Sequence, residues 1–361
     1  MQKRLLNMSI LESVNVELDR KSTLLGLTQP SYRQAYSDRT AWLMATFSEL
    51  AYIRFNPALP SRLQKIGLSE ALKRLADGST SINVSKALST IEGLLWDHDE
   101  EKNKLVNELN TLNETQLIKT FSTELGTQAI LVETPTFYVL AFRGTEATSL
   151  NDIKSDAKAT ITKCKSPGKV HEGFHEAFES VEEELSVALS KLTEAKPLFI
   201  TGHSLGGALA TIAAKRLKFD FGIAACYTFG SPRVGDKEWI STIKTPIYRV
   251  VNAADSVTML PPNGLAIGAI STGVSFIPWV GVKAKEFLLE KFCGYMHGGN
   301  MRYLTNCKKG EYEDVQLLYS VSLLFRLKAL LIGKLPYKKF LSDHSISIYR
   351  KKLEIVAIKR N

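Results

Sequence analysis

Apolar positions recur with a helical period from Tyr36 to Arg54, where Trp42, Leu43, Phe47, Leu50 and Ala51 share one face behind a capping Ser37 or Asp38. This segment is predicted as the first helix of the domain. Residues 56–120 are polar and helical in pattern, with turn signals at Pro57, Pro60 and Asp77-Gly78, and read as a helical insertion. From Gly126 the texture alternates: residues 127–133 and 136–142 read as two strands around a Thr134-Pro135 turn. An amphipathic helix is predicted over 175–195, a strand over 198–202, a helix over 205–217, and strands over 223–229 and 247–251. Helices alternating with short apolar strands predict an α/β fold with a mainly parallel central sheet and helices on both faces.

Composition agrees. Of 361 residues, 44% are hydrophobic and 23% charged, which is a packed globular chain rather than a disordered or fibrous one. The expected organisation is an N-terminal extension over 1–35 and a single α/β domain over 36–361, carrying the insertion at 56–120 and apolar insertions at 261–292 and 315–335. Four cysteines without a CxxC pair exclude a disulfide scaffold and a cysteine-rich zinc site. The formal charge is +9, and the stretch from Lys283 onward, with 16 basic and 7 acidic residues, carries all of it. Nucleic acid is not expected as a partner, because no helix-turn-helix, zinc-finger or RNP pattern accompanies the charge. The first 29 residues lack a secretory pattern, since Asn7, Glu12, Asn15, Glu17 and Asp19 break the apolar run. A cytoplasmic or peripheral-membrane location is expected from this, with export by a dedicated secretion system compatible.

Candidate chemistry lies between the strand at 198–202 and the helix at 205–217, in Gly202-His203-Ser204-Leu205-Gly206. Glycines two before and two after the serine let the chain turn sharply enough to expose its Oγ, and the helix that follows aims its free N–H groups at the same place. A serine so placed needs a base, and the base an orienting acid. In the order serine, acid, histidine, the downstream histidines are His297 and His344. Asp255 follows the strand at 247–251, where an acid projects from the carboxyl end of a parallel strand; Asp220 and Asp236 fit less well. No metal-ligand spacing occurs, so no metal and no cofactor are expected.

Six segments in collinear order, FRGTE (142–146), VHEGFHEAF (170–178), TGHSLGGALA (201–210), YTFGSPRVGD (227–236), YRVVNAADSVTMLPP (248–262) and DHSISIY (343–349), resemble the class 3 lipase family. The resemblance implies an α/β-hydrolase fold and a serine hydrolase of lipid esters, either an acylglycerol lipase or a phospholipase A. It implies Ser204 as nucleophile, Asp255 as orienting acid and His344 as base, with His297 in a supporting role. The N–H of Leu205 and Thr145, after Arg143-Gly144, are implied as the oxyanion hole. His203 is expected to pack beneath the site, His171 to hold its loop to the sheet, and His98 and His175 to lie at the surface. The alternatives are an esterase or thioesterase for a small acyl group, and a catalytically silent membrane-binding protein on the same fold.

The family's lid position matches 149–165 here, a polar stretch. More unusual are 22 uncharged residues over 261–282 and a second apolar run over 315–335. A single span through the first would separate Asp255 from His344 across a bilayer. Arg326 and Lys328 in the second each cost about 2.5 to 3.5 kcal/mol at a helix centre in a membrane, so a helix lying at the interface is expected instead. The expected partner is lipid at a membrane or lipid interface, met by a docking surface that includes Phe276 and Trp279; protein partners are unknown from the sequence.

Overall fold

The computed structural model describes residues 16–26, 35–53, 98–123, 125–144, 161–163, 166–253, 255–261, 294–307, 310–322, 325–326 and 343–360. Among these, Gln116–Ser122 (β1), Gln128–Glu133 (β2) and Tyr138–Phe142 (β3) form an antiparallel meander. Its second turn is closed by the Thr134 N–H and hydroxyl, both donating to Phe137 O. From β3 onward the pairing is parallel through Leu198–His203 (β6), Ile223–Phe229 (β7), Ile247–Asn252 (β8) and Asn300–Leu304 (β9). Leu317–Leu318 (β10) closes the edge antiparallel. The short strands Ile161–Lys163 (β4) and Lys169–His171 (β5) pair apart from this sheet.

Two differences from the sequence expectation lie at the sheet edges. Residues 116–120 belong to β1, not to the helical insertion. Only Phe121 of that strand is buried, so its polar edge carries no apolar alternation to read. Residues 315–322 contain β10 rather than an interfacial helix, with Val315 and Leu317 packed in the core, because the β9 edge takes a partner there.

Helices cover both faces. On one, Asp38–Leu50 (α1) starts where the Ser37 hydroxyl accepts from Thr40 N–H, and it packs against Ile346–Lys359 (α6). Trp42, Phe47, Tyr349 and Leu353 meet Val132, Val139 and Ala141 in this layer. On the other, Glu172–Ser190 (α3) packs on Leu205–Arg216 (α4), and Phe178, Leu185 and Leu209 meet Leu131, Leu140 and Phe142. Alternate residues of β3 thus feed opposite cores, and each large apolar side chain so buried contributes about 1.5 to 3 kcal/mol. Part of the expected N-terminal extension joins the first core: residues 16–26 are helical and Leu24 is fully buried. The helix His98–Asn110 (α2) leads into β1.

Among the described residues no helix is long and apolar enough to cross a membrane. Most of 261–292, including Phe276 and Trp279, lies outside the described residues, as do most of the lid stretch and most of 323–335.

Candidate active site

The turn from β6 into α4 holds Ser204 at φ 57°, ψ −126°, a backbone region that a residue with a side chain enters only under strain. Close packing enforces it. A Cβ on Gly202 would come within 2.1 Å of Gly206 O, and one on Gly206 within 2.3 Å of Phe142 O. The bend is pinned by Ser204 N–H donating to Phe229 O at 2.9 Å. Leu205 is the first residue of α4, and the leading N–H groups of a helix have no intrahelical acceptor. Thr145 lies outside the described residues. Gly144, just before it, runs so close that a Cβ there would sit 3.2 Å from Ser204 Cβ.

His344 Nε2 lies 2.8 Å from Ser204 Oγ, and His344 Nδ1 lies 2.9 Å from Asp255 Oδ2. A carboxylate only accepts, so Nδ1 carries the proton and Nε2 is left to accept from the serine hydroxyl. All three side chains are buried, Asp255 completely. Asp255 Oδ1 accepts from Val257 N–H at 3.0 Å. Its Oδ2 also accepts from the Tyr349 hydroxyl at 2.6 Å, and that hydroxyl accepts from Asn252 N–H at 2.9 Å. The Asn252 side chain reaches Asp343 O with Nδ2 at 2.8 Å and takes Lys352 Nζ on Oδ1 at 2.7 Å. The end of β8 is therefore tied both to the residue before His344 and to α6. Tyr349, Asn252 and Lys352 are functional supports that the sequence reading passed over; the one signal for Tyr349 is its place on the helix directly after the Asp-His-Ser motif.

The other histidines fall into supporting places. His203 lies under His344: its Nε2 donates to His344 O at 2.5 Å, which leaves Nδ1 to accept from the Tyr52 hydroxyl at 2.7 Å. Burial, with His344 beside it, holds its pKa well below the usual value, so it is neutral. His297 Nε2 donates to Thr258 O at 2.6 Å rather than to the serine, and burial together with Arg249 and Arg233 keeps it neutral too. His171 caps α3 by accepting from Phe174 N–H, and burial lowers its pKa to about 4. That cap starts α3 at Glu172, earlier than the predicted 175. His175, expected at the surface, is half-buried with Nδ1 3.1 Å from Arg216 Nη1. Asp236 caps the helix Lys237–Ser241 (α5), and Asp220 is exposed in a turn, so neither competes with Asp255. Among the described residues no cluster of His, Cys, Asp and Glu is placed to hold a metal ion.

A buried serine, imidazole and carboxylate joined in series at the start of a helix can generate a nucleophile and stabilise an oxyanion. The family model described as Lipase (class 3) matches residues 139–265, a stretch that carries the serine and the acid. Over these residues the chain is similar to the class 3 lipase family. The chain is 43% identical over 99 residues to a secreted mono- and diacylglycerol lipase of Fusarium solani, an alignment covering 26% of this chain and 30% of that protein. A secreted mono- and diacylglycerol lipase of Malassezia globosa is 27% identical over 197 residues, covering 50% of this chain and 62% of that protein. The chain thus spans less than two thirds of the length of either curated relative. In structure it is similar to MDLA from Penicillium cyclopium, with a TM-score of 0.52, 17% identity and coverage of 90% of this chain and 100% of that one. The fold is an α/β hydrolase. The relatives overturn one expectation: both are described as secreted, which points to an extracellular location rather than a cytoplasmic or peripheral-membrane one.

Proposed function

We propose that the protein is a serine hydrolase of lipid carboxylic esters, acting outside the cell on mono- and diacylglycerols. The observation that carries this is the 2.8 Å contact between His344 Nε2 and Ser204 Oγ, with the imidazole held from behind by Asp255. In this reading Ser204 Oγ attacks the ester carbonyl while His344 Nε2 takes its proton. The negative oxygen is received by the N–H of Leu205 and by Thr145. Collapse expels the glycerol oxygen, protonated by His344, and leaves an acyl-enzyme. Water then attacks with the same base, and fatty acid and the free serine are the products. The mono- and diacylglycerol preference rests on the names of the relatives. The proposed organisation is one hydrolase domain from 36 onward, with Phe276 and Trp279 meeting the lipid surface.

The test uses purified wild type and Ser204→Ala with a fluorophosphonate probe, then monoolein, diolein, triolein and phosphatidylcholine vesicles, with released fatty acid measured. Wild type is expected to label and to release acid fastest from monoolein or diolein. Ser204→Ala is expected to do neither, its turnover down on the order of 10⁶-fold. Labelling without release from any of the lipids would move the assignment to a small acyl ester, and absence of labelling would reject the hydrolase reading.

A further inference from the structure

On the face of the sheet that bears α3 and α4, a basic residue interrupts the core. Arg249 sits on β8 between Ile247 and Val251, and its cross-strand neighbours are Thr228 and Met301, neither of them acidic. Ile247 packs with the α3 and α4 side chains, whereas Val251 belongs to a separate small cluster with Ala253 and Tyr303. Two more arginines converge on this gap. Arg233, from the loop after β7, donates through Nη1 to Met259 O and Pro261 O. Arg326 donates through Nη2 to Asp255 O at 3.3 Å and to Thr258 Oγ1 at 2.5 Å. All three are over nine-tenths buried: Arg233 and Arg249 are 7% exposed, Arg326 3%.

Among the described residues their charges are uncompensated. Arg233 and Arg326 spend these bonds on neutral acceptors of the loop 255–261. Arg249 Nε and Nη1 and Arg326 Nε are buried without any acceptor. The Asp255 carboxylate, which attracts Arg326, is already engaged by His344, Tyr349 and Val257 N–H. Burial and mutual repulsion pull Arg249 down to about 9 and Arg233 to about 10, so both still hold their protons at neutral pH. A buried, unpaired charge that cannot neutralise itself calls for a counter-ion, and a guanidinium edge with free Nε–H and Nη–H matches two oxygens of an oxyanion.

We propose that Arg233, Arg249 and Arg326 form a buried binding site for a small oxyanion of the phosphate class, on the inner side of the loop that carries Asp255. The anion accepts from Arg249 Nε and Nη1 and from Arg326 Nε, and it supplies the negative charge that the surrounding strands lack.

The probe is inorganic phosphate, added to the full chain at constant ionic strength kept by a bulky sulfonate buffer salt. Thermal melting of wild type is expected to rise saturably with phosphate, by about 3 °C at a hundredfold excess over Kd. The ³¹P line is expected to broaden with wild type and to sharpen on adding sulfate. In Arg249→Met, which keeps the volume and deletes the unpaired charge, the melting shift should vanish. Arg249→Lys, which keeps the charge without the fork, should weaken phosphate at least tenfold and serves should Arg249→Met not fold. A wild-type melting curve and ³¹P line insensitive to phosphate, or an equal response in the variant, overturns the site. None of these readouts involves ester turnover, so they stand apart from the hydrolase reading.

Discussion

Tyr349→Phe removes one oxygen from the centre of the site and little else. The ring is fully buried, tilted edge-on to Phe229 and His203 with centroids 6.1 and 6.0 Å away, and phenylalanine occupies the same space. Two bonds disappear: the 2.6 Å donation to Asp255 Oδ2 and the 2.9 Å acceptance from Asn252 N–H. A hydrogen bond to a charged group contributes about 1.5 to 3 kcal/mol, and a buried N–H left without an acceptor costs about 1 to 3 kcal/mol. The two overlap, so a stability loss of about 3 kcal/mol is expected, read as a lower urea midpoint at unchanged slope. Turnover should fall less steeply than stability suggests, because Asp255 keeps His344 and Val257 N–H. If about 1.4 kcal/mol of the lost bond is felt in the transition state, kcat drops tenfold. The pH profile separates positioning from mere packing. Without the tyrosine donor, more negative charge remains on Oδ2 to stabilise protonated His344, so the acid limb of kcat should move to higher pH. Soluble p-nitrophenyl ester turnover from pH 5 to 9 measures this. A variant that is destabilised yet keeps wild-type kcat and an unmoved acid limb would refute the claim that Tyr349 acts through Asp255.

Gly230→Ala should abolish the site in place: φ is +59°, and the new Cβ would stand 2.6 Å from Asp255 Oδ2 and 3.0 Å from His344 Nδ1. Turnover is expected to fall on the order of 10²-fold or more, with slower fluorophosphonate labelling of Ser204; near-normal turnover would contradict the placement. His171 titrates near 4 in the fold against about 6.5 unfolded, so the unfolded chain binds more protons in that window and stability falls as pH drops through it. Between pH 7 and 4.5 the loss is roughly 2.5 kcal/mol, and in His171→Asn, which keeps a capping oxygen, the urea midpoint should fall less over the same range. Leu353→Ala in the fully buried face of α6 should cost about 2 to 5 kcal/mol by chemical denaturation without moving the pH profile of turnover.

What could be read along the chain was whatever is settled within a few residues. The run from β6 through Ser204 into α4 is such a case: glycines, serine and the helix that follows are contiguous, and the close approach of Gly202 to Gly206 is local. The parallel strands β6, β7 and β8 were legible because they are buried on both faces, so their apolar runs carry the signal alone, whereas the half-exposed β9 was not predicted. β1 escaped because an edge strand has one face and one rim in water. Tyr349, Asn252 and Lys352 escaped for a different reason. The partners named for them lie 91 to 100 positions away, and a tyrosine, an asparagine and a lysine carry no mark of such pairing in their own neighbourhoods.

Arg326 makes the same point with the sign reversed. Hydropathy treats an arginine inside an apolar run as a charge to be kept in water, and on that ground the run was assigned to an interface. In the fold the guanidinium is buried beneath the loop 255–261, bonded to Asp255 O and Thr258 Oγ1, on the carbonyl side of the residue whose carboxylate orients His344. A feature that counts against burial in one dimension thus becomes, in three, a support for the acid loop. What remains unpaired around it, Arg249 above all, is charge that the described protein does not itself balance, and it is there that a bound oxyanion would have its effect on the fold.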